Sequence, residues 1–209
     1  IPTALASVGE IRPVLQQAVQ KRLNMSCPWG VLLSGGLDST IIAKCVSQCI
    51  RPKGYPIIHT FSIGLKGSPD LAAAAEVARE LGTCHHPVVY TVEEGLAAIP
   101  AVIGAVETYD VTTVRASVPM YLLARVIRRC GIKVVLSGEG ADELFAGYAY
   151  NGFAPGEKAL AEECIRKMDM LHAYDCARAN KSCAAHGVEC RVPFLDRQVV
   201  DWAMNTLHP

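Results

Sequence analysis

Apolar residues recur at helical spacing from Ile11 through Val14, Leu15, Ala18 and Val19 to Leu23, so an amphipathic helix opens the chain. Ser7-Val8-Gly9-Glu10 just ahead of it fits a capping box. Next comes a short apolar run, Trp29-Gly30-Val31-Leu32-Leu33, which breaks into Ser34-Gly35-Gly36-Leu37-Asp38-Ser39-Thr40 before Ile41, Ile42, Cys45, Val46 and Cys49 return to helical spacing. This is a strand, a tight loop and a helix. Residues 57–63 form a second β-rich run, and Ser68-Pro69-Asp70 supplies an N-cap and a first-turn proline for an alanine-rich helix that stops at Gly82. A third strand spans 86–90, and Thr91-Val92-Glu93-Glu94 starts another helix with a second capping box. Residues 117–129 read as helix, with Arg128 and Arg129 in the last turn and Gly131 just past it. A fourth strand, 133–136, ends in another glycine-rich loop, Ser137-Gly138-Glu139-Gly140-Ala141-Asp142-Glu143.

Strands that alternate with helices predict an α/β fold, a parallel sheet with helices on both faces. Strand signals fade after Tyr148, and 155–207 reads as helices joined by turns. The expected organisation is therefore an α/β body over 1–150 followed by a helical portion over 151–209. No linker, repeat or low-complexity tract separates them.

Composition narrows the function classes. At 209 residues, about 1.4 typical domains, the chain is no long multidomain array. Twenty Lys and Arg balance twenty Asp and Glu, which excludes the basic excess of a nucleic-acid or membrane-surface binder and favours a small-molecule substrate. The longest stretch free of charged side chains, 23–37, contains Asn24, Ser26, Pro28 and three glycines, so no bilayer-spanning helix is expected. Nine cysteines include no C-x-x-C pair, and no histidine spacing resembles a zinc site. They imply reduced, mostly buried thiols in a reducing compartment, and cytoplasmic localisation. The chain also lacks an initiator Met and reads as a piece of something longer.

The loop 34–40 carries the strongest chemical signal. A glycine-rich turn between a strand and a helix exposes backbone N–H groups at the positive end of the helix dipole, which suits phosphate. Gly35 and Gly36 let the backbone approach, and the hydroxyls of Ser34, Ser39 and Thr40 add donors. Asp38 would repel an anion, so its place in such a loop makes sense if it holds Mg²⁺ against the phosphates. The string matches neither the Walker nor the dinucleotide fingerprint.

Ser34-Gly35-Gly36-Leu37-Asp38-Ser39 resembles the PP-loop of ATP pyrophosphatases, an adenine nucleotide alpha-hydrolase-like fold. Ser137-Gly138-Glu139-Gly140-Ala141-Asp142-Glu143 is similar to a second loop found in the synthetase domain of glutamine-dependent asparagine synthetases. Ser68-Pro69-Asp70-Leu71, the stretch 107–117, the stretch 174–180 and Arg191-Val192-Pro193-Phe194-Leu195-Asp196 resemble further segments of that domain in the same order. The resemblance implies that ATP adenylylates the β-carboxylate of aspartate, releasing pyrophosphate, and that ammonia then displaces AMP.

It further implies pyrophosphate on the first loop and Mg²⁺ held by Asp38 and Asp142. Nucleotide contacts fall at Leu33, Ile63, Ser137 and Gly138. Glu139 is the expected catalytic carboxylate of the amination step, since an attacking amine must shed a proton. Thr112, Thr113 and Arg115 are expected in a loop before the helix at Ser117, with Arg115 binding phosphate or substrate carboxylate. Asp175 is expected to act near the ammonia and aspartate site, and Thr112, Thr113 and Arg178 to bind aspartate or its adenylate; Asp175 and Arg178 also read as a surface ion pair. Glu143 is expected to cap a helix. His59, His85, His86, His172 and His186 show no catalytic pairing, and Arg191 to Asp196 reads as structural, with Asp196 a cap. A glutaminase domain that frees ammonia from glutamine, and a C-terminal lysine, would lie outside the chain. No nucleic acid or membrane partner is expected, and a homodimer is compatible with these expectations. The competing readings are a β-lactam synthetase-like or other PP-loop ligase and, in another class, a noncatalytic interaction domain.

Overall fold

A computed structural model describes residues 8–23, 26–50 and 57–206. Five parallel strands form one sheet in the order β3-β2-β1-β4-β5: β1 Trp29–Leu32, β2 His59–Leu65, β3 Cys84–Tyr90, β4 Val134–Leu136 and β5 Glu189–Arg191. The expected α/β fold is the observed one. Side chains alternate across the pleat. Val31, Leu33 and Leu136 therefore join a core with α1 (Ile11–Arg22), α2 (Leu37–Ile50), α3 (Pro69–Leu81), α6 (Ala141–Phe145) and α9 (Arg197–Thr206). Leu32, Phe61 and Val135 face the other way, against α5 (Val111–Arg129) and α8 (Asp175–Ala184). Val102 and Val106 of α4 (Val92–Val106) close over Val118 and Leu122 of α5. The remaining helix, α7, spans Glu157–Met170.

The chain runs outward from β1 through β2 to β3, then returns to β4 on the other side of β1. β1 leads on to β2 on one side and β4 to β5 on the other, so the strand order reverses between β1 and β4, where an open parallel sheet leaves a crevice.

Local signals explain several boundaries. Thr91 Oγ1 accepts from the Glu94 N–H at 3.1 Å and a Glu94 carboxylate oxygen accepts from the Thr91 N–H at 2.8 Å, the reciprocal box expected. Pro69 opens α3, although the Ser68 side chain makes no cap hydrogen bond. The other expected capping box depends on Ser7, which lies outside the described residues, and Glu10 makes no side-chain cap bond.

Two expectations need correction. The helix expected from Ser117 begins at Val111, because the Asp110 carboxylate caps it by accepting from the Thr113 N–H at 2.8 Å. Thr112, Thr113 and Arg115 thus stand in its first turns. Their run of β-branched neighbours is a weak helix former, and the cap together with the packing of Val114 and Val118 overrides it. The portion read as wholly helical also supplies β5, whose three residues carry too little hydrophobic pattern to announce a strand; pairing with β4 makes it one.

Among the described residues, no helix is long and apolar enough to cross a membrane. Cys45, Cys164 and Cys183 are buried thiols, whereas Cys84 and Cys130 lie at the surface.

Candidate active site

The loop after β1 is shaped by hydrogen bonds within itself. Ser34 Oγ and Ser39 Oγ are 3.0 Å apart, the Ser34 N–H donates to Ser39 Oγ, the Gly36 N–H donates to Ser34 Oγ, and Ser39 Oγ donates to the Gly36 carbonyl. Gly35 has φ +84°, and a Cβ there would meet Ala73 and Ala74 of α3 at 2.6 Å. Glycine is therefore required both by conformation and by contact.

The second loop begins where the Ser137 N–H donates to the Arg191 carbonyl of β5 at 2.9 Å. Leu195 packs beneath Gly140, so the segment after β5 supports this loop. The two loops touch at Gly138, where a Cβ would stand 2.9 Å from the Ser39 nitrogen and about as close to Asp38. That contact brings both loops to one cleft of about 640 Å³.

Of the residues singled out in the sequence, Leu33, Ser34, Gly36, Asp38, Ser39, Ile63, Ser137, Gly138, Glu139, Asp142, Asp175 and Arg178 line this cleft. Gly35 stands behind it against α3. Arg115 is exposed and lines a neighbouring apolar groove with Leu65, Tyr90 and Leu96, while its neighbour Ala116 lines the cleft. Thr112 is exposed and Thr113 is buried.

Sequence reasoning missed Asp70, Glu143 and Tyr148 as lining residues. Glu143 caps nothing. It is buried and accepts a hydrogen bond from the Tyr148 hydroxyl, and burial together with that acceptor raises the Tyr148 pKa. Its position in the second loop was the available signal; for Tyr148 there was none beyond an aromatic near a glycine.

Acids dominate the electrostatics. Among the described residues lining the cleft, Asp38, Asp70, Glu139, Asp142, Glu143 and Asp175 face a single guanidinium, Arg178. Burial, then the charges of Asp142 and Glu143, raise the pKa of Asp38 above its ordinary value. Arg178 bridges Glu139 at 2.9 Å and Asp175 at 2.7 Å, with its side chain 19% exposed, so the pair expected at the surface is largely enclosed. Burial raises the Glu139 pKa, against which Arg178 pulls down and Asp175 pushes further up. Oxygen donors of this kind suit a hard divalent cation, and a polyanion entering so acidic a cleft needs one.

The chain matches the asparagine synthase family model over residues 10–155 and 152–207. The chain belongs to the asparagine synthase family. It is 55% identical over 205 residues to asparagine synthetase B (glutamine-hydrolyzing) of Escherichia coli, covering 94% of this chain and 37% of that protein. It is 54% identical over 200 residues to asparagine synthetase (glutamine-hydrolyzing) 2 of Oryza sativa, covering 93% and 34%. The chain thus spans a little over a third of these family members' length. Among solved structures, the U34-tRNA thiolase NcsA from Methanococcus maripaludis shares the fold with a TM-score of 0.52 at 13% identity, covering 96% of this chain and 64% of that one.

Proposed function

We propose that this chain carries the synthetase part of a glutamine-dependent asparagine synthetase, activating aspartate with ATP and passing the acyl group to ammonia. The contact of the two loops at Gly138 carries this reading, because it sets an anion-binding loop beside the carboxylates Asp38, Asp142 and Glu139.

The triphosphate lies on the loop 34–40, where the shared Ser34 and Ser39 hydroxyls turn toward phosphate oxygens. Leu33, Ile63, Ser137 and Gly138 hold the nucleoside end. Asp38 and Asp142 hold Mg²⁺, which when bound spreads the negative charge of the pyrophosphate leaving group. A β-carboxylate oxygen of aspartate bonds to the α-phosphorus as the bond to the bridging oxygen breaks, giving β-aspartyl-AMP and pyrophosphate. Ammonia then attacks the acyl carbon, AMP departs with the bonding pair, and the nitrogen's surplus proton passes to Glu139. A carboxylate whose pKa burial has raised is a stronger acceptor than an ordinary one.

Arg178 orients Glu139 and Asp175 and meets the substrate carboxylate. Arg115 swings from the mouth of the neighbouring groove to clamp phosphate or carboxylate, with Thr112 and Thr113 on the same turns. Ammonia comes from glutamine through the part of the protein that corresponds to the relatives' unmatched length. Thiols at Cys84 and Cys130 support action in the reducing cytoplasm.

Labelled pyrophosphate exchange into ATP tests the first half-reaction. Exchange is expected only when aspartate is present, and aspartate-independent exchange would refute the substrate.

A further inference from the structure

Away from the cleft, at the amino ends of β2 and β3, the parallel register sets His59 beside Cys84 and Phe61 beside His86. Side chains of a strand alternate, so His59, Cys84 and His86 share one face of the sheet. His59 Nδ1 and His86 Nε2 are 2.9 Å apart, Cys84 Sγ lies 3.6 Å from the same Nε2, and all three donor atoms fall within 4.8 Å of one another. Zinc bound tetrahedrally by nitrogen and sulfur sets its ligands about 3.3 Å apart for N and N and about 3.6 Å apart for N and S. The trio needs shifts on the order of an ångström or less to meet that geometry.

The surroundings hold the rings ready. His86 stacks on Phe61, with centroids 4.7 Å apart and planes 14° from parallel, and on His59 at 5.2 Å and 19°. His85 points to the opposite face and is engaged by Thr60 and Ser62. No sequence spacing announced the trio, because its members come from two strands and only their register aligns them.

We propose that His59, Cys84 and His86 bind a late first-row transition-metal dication of the zinc class, with a fourth position open to water. Binding releases the Cys84 thiol proton, while the proton shared by the two histidines moves to an outer ring nitrogen, so both imidazoles stay neutral. Two nitrogens and a sulfur suit such a cation and not the Mg²⁺ proposed for the oxygen-rich cleft. His59 lies four residues before Ile63 on β2, roughly 13 Å along the strand, so the two metals do not share a site. Occupied, the site ties edge strand β3 to β2; with Cys84 exposed, the cation exchanges freely.

The test is titration of chelator-stripped protein with Co²⁺, read by absorbance, and equilibrium dialysis against Zn²⁺. About one equivalent of each should bind, Co²⁺ with a thiolate-to-metal charge-transfer band, and Mg²⁺ should not displace either. Cys84→Ser, a change at an exposed position, should abolish the band, and His59→Gln should weaken Zn²⁺ binding at least about tenfold. Cys130→Ser, at another exposed thiol, should change neither. Absence of saturable binding, or a band that survives Cys84→Ser with far-ultraviolet circular dichroism unchanged, overturns the proposal.

Discussion

Asp38 and Asp196 both stand at the amino end of a helix, where the backbone dipole favours a negative charge, yet their surroundings pull in opposite directions. Asp38 lies in the first turn of α2 and meets burial and the like charges of Asp142 and Glu143, which raise its pKa. Asp196 caps α9, accepting from the Gln198 N–H at 3.1 Å, and meets Arg22 at 2.7 Å and Lys21 at 3.2 Å. Burial alone would raise the Asp196 pKa, but Arg22, the Gln198 N–H and Lys21 outweigh it and lower the pKa. One carboxylate is neutralised by its own chain; the other stands among further acids, and the proposed Mg²⁺ would supply the charge it lacks. Unbalanced charge of one sign, crowded into a cavity, marks a place built for a ligand.

Substitutions at the two aspartates should therefore have opposite signatures. Asp38→Asn should lower aspartate-dependent pyrophosphate exchange by roughly 10³-fold if the residue holds the metal. The same substitution should raise stability at neutral pH, by less than about 1 kcal/mol because water screens a half-exposed group. An acid with a raised folded pKa burdens the fold where it is ionised, so this gain should disappear as pH falls through that pKa. Thermal unfolding from neutral to acid pH, run beside the exchange assay, checks both halves.

Glu139→Gln keeps the hydrogen bonds to Arg178 but cannot accept a proton. Asparagine formation should fall about 10²-fold or more, with exchange retained. If exchange fell equally, Glu139 would belong to the first half-reaction.

Asp196→Asn should retain exchange and lose about 2 kcal/mol of stability at neutral pH. That is below the loss for a fully buried pair because Lys21 and Arg22 keep contact with water. A depressed folded pKa contributes stability above the ordinary carboxylate range and loses it as pH falls through the folded value. Urea unfolding of variant and parent should therefore converge in strong acid; a gap that persists there would break the comparison. The smallest effect is expected at Arg115, where Ala should reduce exchange about tenfold, the worth of one charge-assisted contact. Unchanged exchange would confine that guanidinium to the apolar groove.

Much of this was legible along the chain. Trp29 to Thr40 reads as strand, loop and helix because the signals lie next to one another, and Thr91 with Glu94 names a helix start through three residues. The start of α5 was misread because Val111, Thr112, Thr113 and Val114 form helix poorly by themselves, and the deciding partners are one cap and a helix packed across them. Arg178 looked like a surface partner of Asp175, since nothing local reveals Glu139, 39 residues away in sequence, at its other hand.

By itself, the sequence determined the α/β alternation, the two glycine-rich loops and the acids they carry, because backbone conformation and capping depend on neighbours within a turn. Only the tertiary structure decided that the loops meet at Gly138, that three residues after α8 become a fifth strand, and that His59, Cys84 and His86 share a face. Strand register and sheet order are set by contacts between distant segments, and the charge state of each carboxylate follows from the company those contacts impose.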